Sequence, residues 1–182
     1  MSKVIDIFLQ PGEYFVGDAD YRIRTLLGSC VSITLWHPAR RIGAMSHFLL
    51  SRRGPATVPA LFAPLAPHLP HPLEVMDARY GEEAMDLMLA ELRRARVAPD
   101  ECQGKIFGGG NMFPQLQRNE VMNVGHRNGE AARGLLHAHG IRIVSESLFG
   151  DGHRQIIFDV RSGDVWAHHV RPPGAAYTRE SA

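Results

Sequence analysis

Short apolar runs fill the first fifty residues and are interrupted by Pro11-Gly12, Gly17-Asp18, Gly28 and Pro38. Runs of that length between glycine and proline read as β-strands, and the pattern predicts them over residues 4–9, 21–27, 30–36 and 42–50. Residues 51–72 then carry Pro55, Pro59, Pro64, Pro67, Pro70 and Pro72. So many nitrogens without a proton suit neither a helix nor a central strand, and a surface loop is expected. From 77 to 96 the period changes: Ala84, Leu87, Met88, Leu92 and Ala95 recur at three- and four-residue steps, with Glu82, Glu83, Glu91, Arg93 and Arg94 between them. That is an amphipathic helix, acidic at its start and basic at its end as the helix dipole favours.

A strand over 105–107 leads into Gly108-Gly109-Gly110-Asn111, which must turn, because three glycines would cost a regular element backbone entropy. A second helix is expected from Asn128, a good N-cap, to Gly140, a good C′ residue. Strands over 141–148, 155–160 and 165–170 complete the pattern, the last two joined by the turn Ser162-Gly163-Asp164. Strands cluster around two helices without regular βαβ alternation, which predicts an α+β fold: one domain, mostly antiparallel β-strands packed with two main helices. The domain should span 1–170, with residues 171–182 a flexible tail.

At 182 residues, 45% hydrophobic and 21% charged, the chain is long enough for one core. Twenty basic and nineteen acidic residues leave a charge of +1, so nucleic acid is not an expected partner. Membrane insertion is not expected either, since no apolar run approaches the roughly 20 residues a span needs. The two cysteines, Cys30 and Cys102, lie far apart without CxxC spacing, which fits free thiols and a cytoplasmic location.

A thiol is a poor nucleophile until a base takes its proton, so a cysteine facing a histidine is the pattern to look for. If Pro38-Ala39 forms a two-residue hairpin turn, His37 pairs with Arg40, Leu35 with Ile42 and Cys30 with His47. The alternative is a buried cysteine and a structural histidine. Gly28 and Ser29, leading directly into Cys30, are placed to offer amides to an oxyanion, and the run containing Gly109 and Asn111 is a further source of donors. No phosphate-binding GxxxxGK[ST] pattern is present. No metal site is expected, because His137 and His139, or His168 and His169, are not spaced for one helical face. Cys102 reads as an incidental thiol.

Five ordered blocks then resemble the CheD family: Leu27-Gly28-Ser29-Cys30-Val31; Gly43-Ala44-Met45-Ser46-His47; Arg79-Tyr80; Lys105-Ile106-Phe107-Gly108-Gly109-Gly110-Asn111-Met112-Phe113; and Gly125 followed by Arg127-Asn128. The chain departs from the pattern at His126, where the family block carries glutamate, and in the loop 148–153.

The resemblance implies a cofactor-free deamidase that converts glutamine side chains on the cytoplasmic helices of chemotaxis receptors to glutamate. It implies Cys30 as nucleophile and His47 as base, with Thr25 as the threonine that orients the histidine. A CheC-type phosphatase is an implied second partner. From the residues alone a docking module without chemistry, a cysteine peptidase or a transglutaminase stays open.

Overall fold

Alternation along one strand separates the two sides of the molecule. In β4 (Val31–His37), Val31, Ile33 and Leu35 are fully buried in a core on the helical side. Trp36 points the other way, into a second core. A strand buried on both faces must be central, and β4 is the middle strand of a five-stranded sheet. The computed structural model describes residues 4–54, 76–112 and 124–171.

The five-stranded sheet runs β2 (Tyr14–Gly17), β5 (Ile42–Ser46), β4, β6 (Gln103–Gly108), β7 (Arg142–Leu148). A four-stranded sheet runs β1 (Ile5–Phe8), β3 (Tyr21–Leu27), β8 (His153–Asp159), β9 (Val165–Val170). Leu9, Ile23, Leu27, Met45, Phe107, Ile156 and Phe158 fill the space between the sheets. The outer face of the larger sheet is covered by α1 (Gly81–Arg94) and α2 (Val124–Ala138), through Met85, Met88, Leu89, Leu92, Ala132 and Leu136. The result is a three-layered α+β domain, mostly strand, as the pattern predicts. Pairing is antiparallel except for β1 with β3 and β6 with β7.

Three expectations are corrected. The hairpin between β4 and β5 closes His37 on Ile42, with Leu35 opposite Ala44, Thr34 opposite Met45 and Val31 opposite Phe48. The cause lies in the turn. A two-residue hairpin needs positive φ at its first central residue, which proline's ring forbids, so the chain uses a four-residue loop with Arg41 at φ 50°. The register therefore moves by two residues, and Cys30 does not stand directly opposite His47. Second, α2 begins at Val124, four residues before Asn128, although Gly140 does end it with φ 68°. Third, the short strand β2 is additional to those expected; Tyr14-Phe15-Val16 carries its signal.

Strands 21–27 and 165–170 match the predicted bounds, and other ends differ by a few residues. Most of the loop expected over 51–72, and the tail beyond 171, lie outside the described residues.

Candidate active site

The chain passes from the smaller sheet to the larger through three residues, Gly28-Ser29-Cys30. All three carbonyls of this link are tied down. Gly110 donates its amide to Gly28 (2.8 Å) and Gly109 donates its amide to Cys30 (2.9 Å). The side chain of Asn128 donates through Nδ2 to Ser29 (3.2 Å) and also to the Leu49 carbonyl (2.7 Å), two residues beyond His47. Glycine is required beneath the link: a Cβ at Gly108, where φ is 111°, would sit 2.2 Å from the Cys30 oxygen. With the carbonyls held, the amides of Ser29 and Cys30 donate to no other residue among the described ones.

A register shift of two keeps parity, so Cys30 and His47 still share the face that looks into the inter-sheet space. Ser32 takes the position opposite His47, and Cys30 is its diagonal neighbour. Across the gap, on β3, stands Thr25, 3% exposed, with its Oγ1 2.7 Å from His47 Nδ1. The hydroxyl has one proton and donates it to the Leu9 carbonyl at 2.8 Å, which can only accept. It must therefore accept from His47, which fixes the tautomer: Nδ1 carries the proton and Nε2 presents a lone pair. That Nε2 is buried and bonded to no group among the described residues, Cys30 included.

Burial sets the charge state. It pushes the His47 pKa down to about 4, the Leu9 carbonyl and the Glu13 carboxylate offsetting only part of the loss. Burial also pushes the Cys30 thiol up, against a weaker pull from its own amide. At neutral pH the pair is a neutral thiol and a neutral imidazole. Such an arrangement can perform general-base activation when a substrate carbonyl arrives.

The structure thus brings together Cys30, His47 and Thr25 with Gly28 and Ser29. Gly109 lies against the same link, but its amide is committed to the Cys30 carbonyl; Asn111 is tied instead to the segment 150–152, donating its amide to the Gly150 carbonyl at 2.8 Å and accepting from the Gly152 amide at 2.9 Å. Cys102 is buried, its thiol donating to the Ala98 carbonyl at 3.7 Å, and burial beside Glu101 and Asp100 pushes its pKa up to about 11. Among the described residues no three His, Cys, Asp or Glu side chains converge to hold a metal ion, and no helix is long and apolar enough to cross a membrane.

Sequence reasoning missed Asn128 as a tether, and reading it as a helix cap hid the role. It also missed Ser32, whose buried hydroxyl has no partner among the described residues, and Arg154. Alternation along β4 was the available signal for Ser32. The two departures from the family pattern meet in space: the His126 ring stacks on Phe149 with centroids 4.6 Å apart.

The family model described as CheD chemotactic sensory transduction matches residues 67–169. A protein of Albidiferax ferrireducens, "Probable chemoreceptor glutamine deamidase CheD 2", is 62% identical over 95% of this chain and 92% of its own. "Probable chemoreceptor glutamine deamidase CheD 3" of Dechloromonas aromatica is 42% identical over 91% of this chain and 88% of its own. A Pseudomonas syringae pv. tomato protein with the CheD name is 39% identical over 91% and 89%. Ordered motifs and similarity along nearly the whole chain lead to one assignment: this protein belongs to the CheD family.

Proposed function

We propose that this protein deamidates glutamine side chains on the cytoplasmic helices of chemoreceptors, working in the cytoplasm with Cys30 as nucleophile. The observation that carries the reading is the chain Leu9 carbonyl, Thr25 hydroxyl, His47 Nδ1, which leaves a buried Nε2, unbonded among the described residues, on the sheet face that also bears Cys30.

In this mechanism the Cys30 thiol turns toward Nε2 as the substrate's side-chain amide enters. His47 takes the proton while sulfur bonds to the amide carbon, and the carbonyl electrons move onto oxygen, where the Ser29 and Cys30 amides meet them. The carbonyl re-forms, the C–N bond breaks, and Nε2 returns the proton to the leaving nitrogen, which departs as ammonia. His47 then deprotonates a water that attacks the thioester, releasing glutamate and the thiol. Replacing a neutral amide by a carboxylate on a helical bundle alters helix-to-helix repulsion and so biases the receptor's signalling state. A CheC-type phosphatase enters this reading as a second partner on the family resemblance alone.

The test incubates the full chain with a receptor's cytoplasmic fragment and follows ammonia release and glutamine-to-glutamate conversion by mass spectrometry. Wild type should deamidate and Cys30→Ala should not. Undiminished conversion by Cys30→Ala would overturn the mechanism, and binding without conversion by wild type would make the protein a docking module.

A further inference from the structure

Arg154, on β8, points into the inter-sheet space beside Ile156 and is 3% exposed. Among the described residues its guanidinium bonds only to neutral acceptors: Nε to Ser147 Oγ at 3.0 Å, Nη1 to the Gly108 carbonyl at 3.5 Å, and Nη2 to the Phe149 carbonyl at 2.5 Å. No carboxylate pairs with it among the described residues. A buried cation without a counter-ion is expensive, and desolvation correspondingly pulls its pKa down. For structure alone, an apolar side chain would serve that position better.

The three acceptors belong to one assembly. Phe149 donates its amide to the Gly108 carbonyl at 3.0 Å, so that oxygen receives two donors, one of them the arginine. Gly108 pairs with Val31, and the next residue, Gly109, holds the Cys30 carbonyl. Phe149 itself is strained. Its φ is 64°, a region bulky side chains avoid, and it persists only where the surroundings over-determine it. The Phe149 ring lies against Gly129, where a Cβ would come within 2.4 Å of it, with His126 stacked on it and Arg133 5.2 Å from its centroid.

We propose that Arg154 is a positioning residue for deamidation: by clamping the Gly108 and Phe149 carbonyls it fixes the glycine platform under Gly28–Cys30, and with it the direction of the Cys30 thiol relative to His47. Arginine suits this task because its planar fork of donors reaches three acceptors at once, which lysine's single ammonium cannot reproduce. The proposal rests on Cys30 being the nucleophile.

The experiment uses the full chain carrying Arg154→Ala, with deamidation of a receptor fragment and alkylation of Cys30 by iodoacetamide as separate readouts. Kcat should fall about 10²-fold with KM nearly unchanged, the usual scale for losing a supporting partner. Free guanidinium at millimolar concentration should restore part of kcat and return the Cys30 alkylation rate toward that of wild type, while sodium chloride at equal ionic strength should do neither. A folded Arg154→Ala with wild-type kcat and alkylation rate overturns the proposal, as does a loss of activity that guanidinium leaves untouched. If Arg154→Ala does not fold, Arg154→Lys takes its place: folded with reduced kcat supports the clamp, and wild-type kcat overturns it. Cys30→Ala separates the two readings, because its retained activity would sink Cys30 as nucleophile while the effect of Arg154 on Cys30 alkylation is read without turnover.

Discussion

A single hydroxyl decides which nitrogen of His47 carries the proton, and so which one would act as base in the proposed reaction. Thr25 spends its proton on the Leu9 carbonyl and thereby obliges Nδ1 to donate. Thr25→Val keeps the shape and removes that obligation, so kcat on a receptor fragment should fall about 10²-fold while circular dichroism stays unchanged. Burial adds a second consequence. Because His47 is held near a pKa of 4 and Cys30 is raised, the pair stays neutral across the ordinary pH range, the state from which the proposed reaction starts. The kcat/KM profile should stay flat down to about pH 5 and fall around pH 4; an acid limb near 6.5 would contradict the resting state described above.

The elements around the site were partly legible in the sequence. Strand 21–27, which carries Thr25, could be read because β-branched and apolar residues alternate between clear turn signals. The register of the neighbouring hairpin could not be read so simply: proline at the turn excludes the shortest loop, and the longer loop needs an arginine at positive φ that no sequence rule announces. Face survived where register did not, since an error of two residues preserves side-chain direction. Asn128, Ser32 and Arg154 escaped notice because their importance lies in carbonyls and faces contributed by distant segments. The glycine run is where element and chemistry meet. Gly108→Ala places a methyl against the Cys30 oxygen at unfavourable φ and should cost at least about 2 kcal/mol in chemical denaturation, with activity lost beyond what unfolding explains.

At the scale of the molecule, the buried imidazole links folding to pH. Below pH 6.5 the unfolded chain takes up a proton that folded His47 refuses, so stability is complete above that value and is lost as pH falls through about 4. The loss attributable to His47 should amount to about 3 kcal/mol. Urea titrations across this interval should show a decline that His47→Gln flattens; an unchanged slope in the variant would mean that other groups carry it.

One arrangement has a mechanical consequence. The sulfur rides on the crossing between two stacked layers, while the group that disciplines the imidazole belongs to the layer opposite. Shear of one layer across the other would therefore silence turnover before any ladder of backbone bonds gives way. Graded chaotrope should extinguish catalysis well ahead of the spectroscopic transition, making the reaction itself a gauge of how squarely the layers are stacked.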